Sequence, residues 1–304
     1  MRLLSNLSAD TSAKGPQRLA GPRSLSPSTF EALRSRIYEF TGIYFQDNKQ
    51  YLLESRLLQR LDALKLDSYD DYLAFLNKPL TVSRELPALY DAITINETYF
   101  FRNTTQFDMI AQQILPERAK MRMAPGGGRR LRLWSAACST GDEPYTLALI
   151  ALEQILPRFP GLSVEIVGTD LSEEVIQTAK AGLYSEYAVR NIPPAYLRKH
   201  FTKEGNKYVL SDRVRRMVQF RPGNLLEGQN AGRMRDIDLI LCANVLIYFD
   251  QDSKQKALAY LHRSLTTGGY LLVGFSETLY GVTQAFRPVR HQKTIAYQKG
   301  GRHA

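Results

Sequence analysis

Beyond the Gly126-Gly127-Gly128 turn, apolar runs of about six residues alternate with helical stretches of a dozen or more. Residues 131–137 lead into a helix over 143–156, and residues 164–169 into one that starts near Ser172. Two more apolar runs, 238–244 and 269–275, flank a helix over 251–265. Strands apolar along their whole length are covered on both faces, and strands joined through helices run parallel. The pattern therefore predicts a doubly wound parallel α/β sheet. Residues 294–298 read as a last edge strand, antiparallel to the rest. One segment breaks the alternation. Between Gly182 and Gly223, the short strand-like runs 200–202, 208–210 and 217–220 are joined by Gly205-Asn206 and Ser211-Asp212, which are turn formers. They predict a small antiparallel β-subdomain inserted at about 196–221.

The chain ahead of residue 96 has a different texture. Ser28 or Thr29 can cap a helix whose Phe30, Leu33, Ile37 and Phe40 recur on one face, and Gly42 ends it. A second helix over 49–64 stripes Leu53, Leu57, Leu61 and Leu64. Its Arg56 and Arg60, four residues apart, share one shoulder of that stripe, where both can stay solvent-facing. Shorter helices follow at 69–76 and 84–95, and no β-branched alternation occurs before residue 92. The organisation predicted is a flexible tail at 1–23, an all-α domain at 24–95 and an α/β domain at 96–304.

Composition removes several classes. With 44% hydrophobic and 23% charged residues, the chain is neither fibrous nor largely disordered. No run of 18 apolar residues exists, so no membrane insertion is expected. The first 23 residues lack an apolar core, which excludes a secretory signal. Cys138 and Cys242 cannot form a disulfide framework, so a cytoplasmic location is expected. The net charge of +10 favours an acidic partner, and it is concentrated in the second half. Residues 180–221 hold 10 basic and 3 acidic side chains, whereas residues 1–95 hold 12 and 11.

Four stretches carry chemistry. Ser135-Ala-Ala-Cys-Ser-Thr-Gly-Asp-Glu-Pro144 ends an apolar strand in small residues and opens a helix; it reads equally as an ordinary βα turn or as a place where unpaired N–H groups meet a ligand. It is neither a P-loop nor Gly-x-Gly-x-x-Gly, and Asp142 and Glu143 would repel a pyrophosphate while suiting a cationic or hydroxyl-bearing ligand. Asp170, at the tip of the second strand, stands where ribose hydroxyls are bound, although such an Asp also caps helices. Asn244 and Tyr248 follow the third strand, where Tyr248 either faces the crevice or is a partly buried core aromatic. Asn96-Glu-Thr-Tyr-Phe-Phe-Arg102 joins the two domains, either as an anchor or as a lid with a cation beside it.

Taken in order, Asn96-x-Thr98-x-Phe-Phe-Arg102, Cys-Ser-Thr-Gly-Asp-Glu143-Pro-Tyr, Thr-Asp170, Gly-Asn224-Leu225-Leu and Asn244-Val-Leu-Ile-Tyr248-Phe closely resemble the bacterial chemotaxis receptor glutamate O-methyltransferase (CheR-type) family. The resemblance implies a Rossmann-like class I methyltransferase domain that uses S-adenosylmethionine, yields S-adenosylhomocysteine and needs no metal. It implies cofactor contacts at Asn96, Thr98, Arg102, Glu143, Asp170, Asn224, Leu225, Ala243 and Asn244. Arg102 and Tyr248 match positions that face the reacting groups. Arg56 and Arg60 match basic positions that meet the cytoplasmic helical bundle of a chemoreceptor.

The chemistry is consistent with that implication. A glutamate carboxylate is ionised at pH 7 and attacks a sulfonium methyl without a general base. The enzyme has to align the pair and exclude water, and Arg102 can orient a carboxylate by paired hydrogen bonds. His200, His262, His291 and His303 show no ligand spacing. Two departures from the family stand out. Ala243 replaces an Arg that many members carry, and the hairpin around Lys203-Glu-Gly-Asn-Lys207 is too short for the Gly-rich loop of members that bind a receptor's C-terminal pentapeptide tether. A monomer without such a tether, and without a nucleic-acid partner, is expected. The alternatives are a degenerate member that binds S-adenosylmethionine as a sensor or interaction protein, a nucleic-acid methyltransferase, and a nicotinamide-linked dehydrogenase, which would want more glycines than Gly141.

Overall fold

The computed structural model describes residues 23–226 and 234–300. The expected tail at 1–23 lies outside them apart from Arg23, whose guanidinium pairs with Asp62. The first domain is four helices, α1 (Pro27–Thr41), α2 (Gln50–Leu64), α3 (Tyr69–Leu76) and α4 (Pro79–Ile93). The cap of α1 is Ser26, not Ser28 or Thr29: its hydroxyl accepts the Thr29 N–H, and Pro27 follows at the first helical position. Gly42, at φ 70°, ends α1 in the left-handed conformation. The expected stripes meet in one core that includes Leu33, Ile37, Leu53, Leu57, Leu61 and Leu89.

The α/β domain begins with α5 (Thr104–Met109), a π-helical turn (Ile110–Ile114) and α6 (Leu115–Met123). Then come β1 (Arg130–Ala136), α7 (Asp142–Ile150), β2 (Ser163–Asp170) and α8 (Glu173–Ala181). A smaller unit follows: β3 (Leu183–Ser185), α9 (Glu186–Val189), α10 (Pro194–His200), β4 (Phe201–Glu204), β5 (Lys207–Leu210) and α11 (Asp212–Arg215). The chain closes with β6 (Val218–Pro222), β7 (Ile237–Cys242), α12 (Gln251–Ser264), β8 (Leu265–Val273), β9 (Phe286–His291) and β10 (Thr294–Lys299). Seven strands form one sheet in the order β6-β2-β1-β7-β8-β10-β9. Its first five strands are parallel, and β10 runs antiparallel to both neighbours.

Two expectations about strands are corrected. The run at 217–220 is not the third strand of the inserted unit. It is β6, paired in parallel with β2 over Ile166–Asp170, and it buries Val218 and Phe220 against the main core. The third strand of the small sheet is β3, ordered β3-β5-β4, so that sheet draws on residues 183–210. Residues 294–298 are antiparallel as expected, but β9 covers their outer side and becomes the edge.

The two domains are joined at the carboxyl ends of the strands. The Asn224 side-chain amide donates to the Phe40 carbonyl at 2.8 Å, and the Tyr38 hydroxyl donates to Asp250 at 2.9 Å. The Tyr44 N–H donates to the Tyr248 carbonyl at 2.9 Å, beside a β-bridge between Ile43 and Phe249. The helical domain thus forms one wall over the sheet's open end. At the opposite end, buried Asp238 takes Arg118 and Arg122, which closes that side.

Candidate active site

A parallel sheet leaves a crevice where neighbouring connections diverge from its carboxyl ends. Here that crevice is a cleft of about 420 Å³. Asn96, Thr98, Arg102, Glu143, Asp170, Asn224, Leu225, Ala243, Asn244 and Tyr248 all line it. Residues spread over 150 positions of sequence are brought together because β1, β2, β6 and β7 end side by side.

The turn after β1 is shaped for close backbone approach. Ala137 and Ser139 have φ of 62° and 48°, and Gly141 has 87°. A Cβ on Gly141 would lie 2.8 Å from Ala179 Cβ and 3.0 Å from the Phe220 ring, so only glycine fits. Asp170, at the tip of β2, accepts the Ser139 N–H at 2.8 Å and the Ser172 N–H at 3.0 Å. The cap of α8 is Ser172, whose hydroxyl accepts the Val175 N–H, so Asp170 is not the cap; it holds the turn ahead of α8 and lines the cleft. Burial raises its carboxyl pKa, and the amides of Ser172, Ser139 and Leu171 work in the opposite direction. Glu143, in the first turn of α7, accepts the Ser135 hydroxyl at 2.7 Å. Burial pushes it up to about 7, although Ser135 and the Arg102 charge favour its ionised form. Its neighbour Asp142 is buried away from the cleft and pushed up to about 6 by burial, with Thr140 as its partner.

The opposite wall comes from the interdomain segment and from the turn after β7. The Phe101 N–H donates to Thr146, whose hydroxyl donates to the Asp142 carbonyl, which pins this segment on α7. Phe101 has φ 53°. Arg102 stays exposed; it donates to the Glu97 carbonyl at 2.6 Å and stands 5.7 Å from the centroid of the Tyr99 ring. Phe100 and Phe101 are buried in the core of the α/β domain, whereas Tyr99 and Arg102 line the cleft. Tyr248, on a 3-10 turn (Leu246–Tyr248), is half-buried. Burial raises its phenol pKa, and the charges of Arg56 and Arg102 pull it down.

The two arginines of α2 separate. Arg60 is not solvent-facing. It grips buried Glu85 through two bonds of 2.7 and 2.9 Å, and the Tyr72 hydroxyl donates to the same carboxylate. A partner twenty-five residues away could not be read from the helix face alone. Arg56 is half-buried as well; it donates to the Ile93 carbonyl, burial lowers its pKa, and its charge is felt at Tyr248.

One contributor escaped the sequence reading. The Glu277 carboxylate accepts N–H bonds from Gly274 at 2.6 Å, Asn244 at 2.9 Å and Ile247 at 3.2 Å. It locks the turn that carries Asn244 (φ 62°) and Tyr248 to the end of β8. Nothing local marks Glu277 as part of the site, since two of its three amide partners lie about thirty residues upstream. Among the described residues no group of three or more His, Cys, Asp or Glu could hold a metal ion, and no helix is long and apolar enough to cross a membrane.

Comparison with known proteins bears directly on this cleft. Residues 96–295 match the family model described as the SAM binding domain of the CheR methyltransferase, and residues 28–94 match its all-alpha domain. The chain is 40% identical over 265 residues to a chemotaxis protein methyltransferase of Vibrio cholerae, covering 84% of this chain and 91% of that one. A second such protein of that organism is 33% identical over 276 residues, covering 90% and 94%. One from Pseudomonas aeruginosa is 35% identical over 280 residues, covering 90% and 99%.

Proposed function

This chain belongs to the CheR methyltransferase family, and on that premise we propose how its cleft transfers a methyl group to glutamate carboxylates of chemoreceptors. The observation that carries the reading is that one cleft gathers two carboxylates, Asp170 and Glu143, with Arg102 and Tyr248. We take the carboxylates as one wall and the other pair as the second. The first wall fits S-adenosylmethionine. Asp170 suits a ribose diol, Glu143 suits a cationic group, and the small-residue turn leaves room for close contact. The volume lies within the usual range for a ligand of this size. Asn224 donates its side-chain N–H to the Phe40 carbonyl and accepts the Leu226 N–H at its amide oxygen, and it stands beside Leu225 at the cleft. Ala243 leaves only backbone and a methyl group at its position.

The chemistry that S-adenosylmethionine supplies when bound is a sulfonium methyl: a carboxylate oxygen bonds to that carbon, the sulfur–carbon pair returns to sulfur, and a methyl ester and S-adenosylhomocysteine result. Arg102 orients the incoming carboxylate by charge-assisted hydrogen bonds. Its guanidinium already donates to Glu97, which divides its donors and keeps it from neutralising the nucleophile fully. Tyr248, with a raised pKa, stays protonated and donates a hydrogen bond near the reacting groups. The helical domain, bonded to the Tyr248 turn, screens the site from water. No base is required, because the acceptor arrives ionised.

The partner is the cytoplasmic helical bundle of a chemoreceptor, met by a monomer. A two-residue Gly205-Asn206 turn joins β4 and β5, with Glu204 opposite Lys207, which supports recognition without a C-terminal tether. Arg56 is the remaining docking cation on α2. The sensor alternative loses support from the same cleft, since both Arg102 and Tyr248 are present at it. Calorimetric titration with S-adenosylhomocysteine tests the first wall: saturable heat is expected, and its absence would remove the cofactor assignment.

A further inference from the structure

We propose that Phe275 and Ile247 form an apolar seat for the acceptor helix, pressing against a small or apolar side chain one helical turn from the glutamate. The inference rests on the methyltransferase reading above and concerns how the macromolecule is seated. Phe275 is 83% exposed although it lines the cleft, and Ile247, next to Tyr248 in sequence, is 51% exposed. Ile95, also lining the cleft, is 49% exposed. A scattered exposed apolar side chain is ordinary, but two on the lining of one site, with Ile247 held beside one of them, are a patch where a partner must enter.

The backbone beneath the seat is fixed. Glu277 takes the Gly274 N–H with one oxygen and the Ile247 N–H with the other, so the segments bearing Phe275 and Ile247 are clamped to each other. Gly274 is buried under the same clamp. A Cβ there would meet Asn244 N and Glu277 Oε2 at 2.8 Å, so this backbone is packed tightly beneath an exposed phenylalanine.

The length of the acceptor side chain makes contact unavoidable. A glutamate carboxyl carbon lies only three bonds from its Cα. For that carboxylate to reach Arg102 and Tyr248, the helix carrying it must descend to the rim. Residues three and four positions away have Cβ atoms about 5–6 Å from the acceptor's and are the next groups to meet the protein. A charged group there would lose hydration against Phe275 with no partner to replace it, whereas an apolar or small one gains by burying the ring. The seat thus sets how deeply the glutamate enters and discriminates between glutamates by their neighbours on the helix. Arg56, on the helical-domain side, supplies charge attraction and not this discrimination.

The test uses the full chain carrying Phe275→Ser with Ile247→Ser, and as a second variant Phe275→Leu with Ile247→Val. Both positions are solvent-exposed, and thermal midpoints check that the fold is kept. Three quantities are measured: affinity for the cytoplasmic fragment of a chemoreceptor, kcat/KM for its methylation, and affinity for S-adenosylhomocysteine. The serine pair should weaken fragment binding and kcat/KM about tenfold, a scale set by two partly buried apolar side chains. It should leave S-adenosylhomocysteine affinity within about twofold, and the Leu/Val pair should restore most of the loss. Unchanged fragment affinity would overturn the seat. So would a parallel loss of S-adenosylhomocysteine affinity, which would make these side chains a cover for the cofactor. Because fragment binding is read without turnover, a wild-type chain that binds the fragment but fails to methylate it would contradict the activity and not the seat.

Discussion

The two walls of the cleft are built differently. On the strand-tip wall, Asp170 is buried and held by two backbone amides, and Glu143, half-buried, is held by Ser135. On the facing wall, Arg102 and Phe275 are exposed, and Tyr248 is only half-buried. A small ligand of constant shape can be met by groups fixed before it arrives, which lowers the ordering cost of binding. A protein acceptor brings its own surface and completes its wall on arrival. Four left-handed non-glycine residues, Phe101, Ala137, Ser139 and Asn244, sit at or beside the cleft.

If the walls do separate tasks, substitutions should separate them too. The largest effect is expected from Arg102→Ala: turnover on receptor falls roughly 100-fold, as misplacing a reacting group does, while S-adenosylhomocysteine affinity falls much less. Equal losses in steady-state kinetics and calorimetry would assign Arg102 to the cofactor and blur the division. Next is Asp170→Ala. A hydrogen bond to a charged group contributes about 1.5–3 kcal/mol, so S-adenosylhomocysteine affinity should fall at least about tenfold. Unchanged affinity would leave Asp170 only its role toward the Ser139 and Ser172 amides.

A smaller effect follows from the titration of Glu143. Its folded pKa of about 7 lies above the ordinary carboxyl value because burial disfavours the charge. The native state therefore holds a proton that the unfolded state has released between roughly pH 4.5 and 7. Stability without cofactor should fall as pH rises through that window, with Asp142, at about 6, acting in the same sense. A cationic ligand reverses the preference by favouring ionised Glu143. Its affinity should rise from pH 6 to 8 with proton release, and Glu143→Gln should flatten that dependence in calorimetry. A slope that survives in the variant would exclude Glu143 as its source.

The smallest effect belongs to Arg56. A half-buried cation acting on an acidic bundle chiefly speeds encounter, and an exposed charge pair contributes only about 0–1 kcal/mol. Arg56→Gln should lower receptor methylation a few-fold at low salt and converge with wild type at about 1 M salt, where the Debye length is about 3 Å. Salt-independent loss would point to the Ile93 contact instead. Arg60 is unsuitable for this comparison, because its removal strands buried Glu85 and Tyr72 in the helical core.

What could be read in advance follows the range of each signal. The residues at the strand-tip side of the cleft are legible because they sit at the end of a local pattern: an apolar run, a turn of small residues, a helix start. The parallel sheet follows from that alternation. Sheet order does not, and the run at 217–220 reads as part of the inserted unit because a short strand between turns looks alike whether its partner is a hairpin neighbour or β2. The edge at 286–291 went unseen because Pro288 and the polar residues around it weaken any strand signal. Arg60 and Glu277 were hidden for one reason: their partners lie about twenty-five and thirty residues away, and only the folded chain brings them together.

The central claim is that this cleft joins a methyl group to a glutamate carboxylate. Purified chain, methyl-tritiated S-adenosylmethionine and the cytoplasmic fragment of a chemoreceptor test it most directly. The account predicts label on the fragment that mild alkali releases as methanol and that disappears when the acceptor glutamates are changed to alanine. Absence of transfer, or label that resists alkali and survives those substitutions, would contradict it.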